Sequence, residues 1–184
     1  MRPFVRSMAI LLTLSTMMGG VAAQPDTSTN PLTTRRLAIP VAGLEAASLR
    51  DTFHEGRPGH AHEAIDLMAP RGTPVFAVDD GVVVKLFASV PGGLTVYQFD
   101  TDARLAYYYA HLERYAEGLR EGQRVRRCDL LGYVGSTGNA NPLAPHLHFA
   151  VFELGPEKQW WKGTAINPFN ALSGAAGQAP LRCG

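Results

Sequence analysis

Turn-forming residues constrain this chain most. Nineteen glycines and thirteen prolines are spread through 184 residues, and from Pro74 onward they leave only short apolar runs between them. Runs of that kind, rich in β-branched and aromatic residues, suit strands and turns better than long helices. "PVFAV" and "VVVKLF" flank Asp79-Asp80-Gly81, which predicts a hairpin, and "LTVYQF" and "RLAYYYAHL" flank "DTDA", a second one. "IDLMA", "LLGYVG" and "HLHFAVF" read as further strands. Only "GLEAASLRD" and "LERYAEGL" look helical, and both are short. The expectation is a mostly β, antiparallel domain, a sandwich or a partly closed barrel, with few short helices.

The first residues carry a different signal. Arg2 and Arg6 precede the apolar run "MAILLTLSTMM", and "VAA" stands immediately before Gln24. A basic start, a short apolar core and a small-x-small site are the parts of a secretory signal. The run is too short to span a bilayer well, since about 20 residues are usual. Residues 1–23 are therefore expected to be a signal peptide cleaved after Ala23, and residues 24–36 a flexible linker. Residues 37–172 would form one folded domain, and 173–184 a C-terminal tail. Export to the periplasm, envelope or medium makes Cys128 and Cys183 a disulfide in expectation rather than a metal pair. A formal net charge of +1 gives no signal for nucleic acid or acidic membranes. Membrane association after signal removal is not expected, and a monomer is.

Six histidines occur: His54, His60, His62, His111, His146 and His148. His146 and His148 lie two apart on "HLHFAVF", so they share a strand face with Cα atoms about 6–7 Å apart. Both can converge on one ion, or one can bind it while the other faces a substrate. A surface pair on a half-buried strand is the competing reading. His62 and Asp66, four apart, would be roughly 13 Å apart on a straight strand and on one face of a helix. Gly56, Pro58 and Gly59 upstream and Pro70, Gly72 and Pro74 downstream leave no room for a long helix. The chain must therefore bend between His62 and Asp66. "HEAID" begins like the helical zinc motif HExxH but lacks its second histidine, so Glu63 reads as exposed or as support behind a ligand. His60 has no carboxylate at the matching offset and reads as a groove-edge or surface residue.

"HEAID" at 62–66, "YAHL" at 109–112, "GSTGN" at 135–139 and "HLHF" at 146–149, in this order and spacing, resemble the lysostaphin/LytM-type zinc metallopeptidases of bacterial cell walls. The resemblance runs from about Leu37 to Leu172. It implies one zinc ion held by His62, Asp66 and His148, with His111 and His146 as the catalytic pair. It also implies an exported zinc metalloendopeptidase acting on cross-links or stem peptides of peptidoglycan. Two imidazoles and a carboxylate leave a fourth tetrahedral position open, as a catalytic zinc needs. One departure is Ala64, where the family usually has glycine, which puts the geometry of the bend in question.

Two other functions compete. A non-catalytic zinc-binding regulator of another cell-wall hydrolase would typically have lost one of these five residues. A metal-binding module without catalysis leaves His111 and the extra imidazole unexplained. Around the site, "SVPGG" and "STGNANPLAP" are candidate groove walls. Tyr107 and Tyr109 share His111's strand parity and are offered as groove residues, although packing is the commoner role. Trp160 and Trp161 read as packing, with an aromatic wall as the alternative. Arg124, Arg126 and Arg127 in "RVRR" read as a solvated face.

Overall fold

The fold is that of a computed structural model, which describes residues 30–57, 59–175, 177 and 179–183. The expected signal peptide, residues 1–23, and the first part of the expected linker lie outside the described residues. The strands are β1 (Gly56–Arg57), β2 (His60–Ala61), β3 (Ile65–Met68), β4 (Pro74–Phe76), β5 (Gly81–Ser89) and β6 (Gly93–Asp100). They continue as β7 (Leu105–Tyr115), β8 (Arg124–Val125), β9 (Leu130–Val134), β10 (His146–Leu154) and β11 (Gly163–Ile166). One short helix follows, α1 (Phe169–Ser173), and a single 3-10 turn covers Ala46–Ser48.

Nine strands form one antiparallel sheet in the order β11-β10-β7-β6-β5-β8. Alongside this path β3 pairs with the first half of β10, and β9 bridges β7 and β4. The sheet is open, not closed into a barrel. The short β1–β2 ribbon stands apart from it.

Alternation along the strands separates two faces. One face of β7, β10, β3 and β6 carries Leu105, Tyr107, Tyr109, Leu147, Phe149, Val151, Ile65, Leu67 and Val96, all at most 2% exposed. Burying each large side chain contributes roughly 1.5–3 kcal/mol, and together they form the core. The opposite face of the same strands carries Tyr108, His146 and His148, which line an open groove. The strand pattern that builds the core thus also aims the polar residues.

Several local expectations are corrected. Asp79-Asp80-Gly81 is a bend, not a hairpin turn, because β4 pairs with β9 while β5 pairs with β6 and β8. Asp79 is held there by Arg35 at 3.2 Å, Arg127 at 2.6 Å and the Tyr107 hydroxyl at 3.2 Å. Arg127 is therefore committed to an ion pair instead of a free basic face. The start of "LERYAEGL" extends β7, since Leu112 pairs with both Leu94 and Val134; tertiary pairing overrides its helical look. Within residues 30–36, expected as linker, Leu32 is 1% exposed and Arg35 also binds Asp100 at 2.5 Å, while Asn30, Thr33, Thr34 and Arg36 are exposed. At the other end Leu181 bridges Ala38, and Cys128 and Cys183 form the expected disulfide.

Candidate active site

The bend between His62 and Asp66 exists, and its hinge is Glu63. That exposed residue takes φ +55°, the left-handed region that reverses chain direction within one residue. Ala64 is fully buried and lies outside that region, so the methyl group is accommodated where a glycine was expected. Thr52 ties the bend together. Its carbonyl accepts a hydrogen bond from His62 Nδ1 at 3.0 Å, its hydroxyl accepts from the Asp66 amide at 3.0 Å, and the same hydroxyl donates to the Ala64 carbonyl at 3.2 Å. Past the bend β3 runs antiparallel to β10, with Asp66 directly opposite His148.

These placements bring three ligand atoms together. His62 Nε2 lies 3.1 Å from His148 Nδ1 and 3.1 Å from Asp66 Oδ1, and His148 Nδ1 lies 3.2 Å from Asp66 Oδ1. A tetrahedral zinc with bonds of about 2.0–2.1 Å spaces its ligand atoms roughly 3.3–3.4 Å apart. The donor set and its spacing therefore fit such an ion. Because His62 Nδ1 donates to a carbonyl, its Nε2 keeps the lone pair that a metal needs. Burial lowers the pKa of His62 despite the nearby Asp66 carboxylate. Burial also pushes Asp66 up, but hydrogen bonding and charge from His148, and charge from His62 and His146, outweigh it and hold the carboxyl below its usual range. Both shifts favour the ligating forms at neutral pH. The other Asp66 oxygen, Oδ2, accepts from Arg57 Nη2 at 3.0 Å.

His111 and His146 stand beside this cluster. Their rings are 5.0 Å apart, His111 is 5.6 Å from the His148 ring, and His146 Nε2 is 3.7 Å from Asp66 Oδ1. Each donates its Nδ1–H to a backbone carbonyl, His111 to Thr137 at 2.8 Å and His146 to Ala144 at 2.9 Å. Each therefore keeps Nε2 free. Burial lowers the His111 pKa to about 4, so the ring is neutral at pH 7.

Strand parity puts His111 on the same side as Tyr107 and Tyr109, yet those tyrosines are wholly buried in the core. The reason is a bulge. Three residues of β6, Leu94 to Val96, oppose four of β7, Leu112 to Tyr109, and His111 takes φ +60°. The extra residue turns His111 onto the groove face beside Tyr108 and Ala110. The loops that support it press close: a Cβ on Gly138 would sit 2.3 Å from the Gly93 nitrogen, and one on Gly93 2.1 Å from Thr137 Oγ1. Only glycine fits there, and the contact fixes the Thr137 carbonyl that orients His111.

All five residues face one open cavity of 510 Å³, walled by Pro91 and Gly92 on one side of the sequence and Asn139 to Asn141 on the other. Both turn-rich segments singled out from sequence are therefore groove walls. Trp160 and Trp161 do not line this cavity, and neither does Glu63. Arg57, Thr52, Thr137 and Tyr108 are the residues that sequence reasoning missed. The first three act through hydrogen bonds across long sequence separations, which leave no spacing pattern, and Tyr108 was hidden by the bulge.

Comparison with known proteins gives a consistent picture. The family model of peptidase family M23 matches residues 60–168. The L-Ala–D-Glu endopeptidase of Bacillus subtilis is 32% identical over 131 residues, covering 67% of this chain and 40% of that protein. The peptidoglycan DD-endopeptidase ShyC of Vibrio cholerae is 35% identical over 98 residues, covering 53% and 22%. The chain thus spans well under half the length of these relatives. Among solved structures, the catalytic domain of the antimicrobial peptidase lysostaphin from Staphylococcus simulans superposes with a TM-score of 0.53 at 26% identity. That match covers 74% of this chain and 91% of the lysostaphin domain.

Proposed function

This chain belongs to peptidase family M23, and from that premise we propose that it is an exported zinc endopeptidase that hydrolyses peptide bonds in the cross-links or stem peptides of peptidoglycan. The observation that carries the reading is the convergence of His62, Asp66, His111, His146 and His148 on one open groove, from three stretches far apart in sequence. A metal-binding module needs three of them and gives no role to the other two.

His62, Asp66 and His148 would hold the metal. Zinc bound there would supply Lewis acidity, lowering the pKa of a water towards about 7 and polarising the scissile carbonyl. His111, neutral at pH 7 and with Nδ1–H committed to Thr137, offers Nε2 as an acceptor for the proton of the attacking water. His146, its Nδ1 anchored to Ala144, completes the pair. Protonated from solvent, its Nε2–H can stabilise the developing oxyanion, while His111 passes the proton it took from water to the leaving amine. Arg57 and Thr52 fix the carboxylate and imidazole behind the ligand atoms, as supporting hydrogen bonds do in metal sites. The open groove suits an extended peptide more than an enclosed small molecule.

Zymography on purified cell wall tests the reading. The zinc-loaded chain should clear the wall, chelator should abolish clearing, and added zinc should restore it. No clearing by zinc-loaded protein, with metal binding intact, would favour the regulatory role in which the chain acts on another hydrolase.

A further inference from the structure

A second cavity opens beside the groove. It has a volume of 220 Å³ and is lined by Tyr97, Phe152, Trp160 and Trp161 together with Lys162 and Gly163. The loop between β10 and β11 carries both tryptophans. Trp160 packs back over the sheet, 4.8 Å from the Tyr97 ring and 5.4 Å from Phe87. Trp161 meets Trp160 at 5.2 Å and remains 62% exposed, and Phe87 is 40% exposed. Large aromatic rings left in contact with water in one patch mark a binding surface more often than a packing remnant.

The chemistry next to the rings narrows the occupant. An adjoining cavity of 190 Å³ shares Lys162 and Gly163 and is lined by Glu153, Glu157, Gln159 and Thr164. Aromatic faces beside carboxylate, amide and hydroxyl groups match a pyranose ring. Its C–H faces rest on the rings while its hydroxyl and acetamido groups take the hydrogen bonds. An apolar side chain of a protein partner would use the rings but strip water from the carboxylates without replacing it, which is costly. The volume is also below the 300 Å³ or so of a drug-sized site and suits a single ring.

The patch is continuous with the catalytic groove. His148 lies 6.0 Å from Tyr108, Tyr108 lies 4.6 Å from Tyr97, and Tyr97 touches Trp160. These rings floor a path across β10, β7 and β6 that three or four residues of extended peptide, at about 3.3–3.6 Å each, would span. A stem peptide is joined at its N-terminus to a sugar of the glycan. A stem lying with its N-terminal end towards the tryptophans, and cut three or four residues along, would leave that sugar over them.

We propose that Tyr97, Phe152, Trp160 and Trp161 form a subsite for a sugar ring of the glycan strand that carries the peptide being cut. The inference rests on the endopeptidase reading for the identity of the substrate, but sugar binding itself is measurable without catalysis. The full chain without metal is titrated with a β-1,4-linked tetramer of N-acetylglucosamine, and the tryptophan indole N–H signals are followed by NMR. Saturable shifts are expected, and Trp161→Ala should raise the dissociation constant at least tenfold; the exposed position of Trp161 leaves the core untouched. In the metal-loaded chain, kcat/KM for a cross-linked dimer bearing its disaccharides should exceed that for the same dimer without sugars. Trp161→Ala should bring that ratio towards one. Absent shifts with the oligosaccharide, an unchanged constant in Trp161→Ala, or shifts produced only by an apolar peptide would each overturn the subsite. Failure to cut either dimer, with oligosaccharide binding retained, would sink the endopeptidase reading and leave the subsite standing.

Discussion

At His111 the backbone adopts φ +60°, a conformation uncommon for a residue with a side chain. It is held by a hydrogen bond from its amide to the Gly92 carbonyl at 2.8 Å and by the ring's bond to Thr137. Burial is what separates its chemistry from that of a surface histidine. In the metal-free protein its pKa is about 4, against 6.5 unperturbed. Between those values the unfolded chain binds a proton that the folded chain refuses. Stability should therefore fall as pH drops from about 6.5 to about 4, by up to roughly 3 kcal/mol, and this residue should contribute no pH dependence above that window. Urea unfolding of metal-free protein at several pH values checks it: His111→Asn should show a shallower decline than the parent, and identical slopes would contradict the burial argument. Substitution should divide the five residues of the groove into two classes. Zinc content should vanish in His62→Ala, Asp66→Ala and His148→Ala. It should persist in His111→Ala and His146→Ala, whose turnover should fall by roughly 10²–10⁴. Loss of zinc in His146→Ala with retention in His148→Ala would mean that the two histidines of "HLH" have exchanged roles.

At the scale of elements, β10 was the most legible part of the chain. Its two histidines, two apart, do share the groove face while Leu147, Phe149 and Val151 fill the core, because period-two alternation on a half-buried strand is a local rule. The bend at 62–66 was legible as a necessity, from glycines and prolines that forbid a helix, but its hinge at Glu63 and its tie to Thr52 were not. Choosing His148 over His146 as ligand came from family resemblance. What separates the two in space is β3, a strand more than seventy positions earlier that sets Asp66 opposite His148. The bulge in β7 escaped for the same reason, since it is defined by register with β6. The pairing of β4 with β9, in place of the hairpin expected at Asp79-Asp80-Gly81, is likewise a long-range choice. The Thr52 tie carries its own test. Thr52→Val removes the hydroxyl that joins Asp66 to Ala64, and should weaken zinc affinity about 10–100-fold. Thr52→Ser should recover most of it. Equal affinities in competition titrations of the two variants would show that the hydroxyl does not position the ligands.

For the whole molecule, the two ends of the described chain lie side by side, Ala38 bridging Leu181, and both are fastened to the body. Arg35 reaches Asp79 and Asp100, and the disulfide joins Cys183 to Cys128 across 55 residues. A closed loop of that length is worth about 4 kcal/mol in the chain-entropy picture. The body thus fixed is one open sheet with a packed face and a groove face, and the groove face continues from His62, Asp66 and His148 through Tyr108 to the tryptophans. The sheet explains why five polar residues spread from His62 to His148 can be held within a few ångströms: they stand on β7, β10 and the strand and bend that pair with it. Mass spectrometry of the material released from defined peptidoglycan shows which bond, if any, the chain cuts. Incubation with the zinc-loaded chain should release muropeptides with newly exposed peptide amino and carboxyl ends at one type of bond, and chelation or His146→Ala should suppress them. Release of sugar-cleaved fragments with intact peptides, or no new peptide ends from a zinc-loaded and folded protein, would contradict the endopeptidase reading.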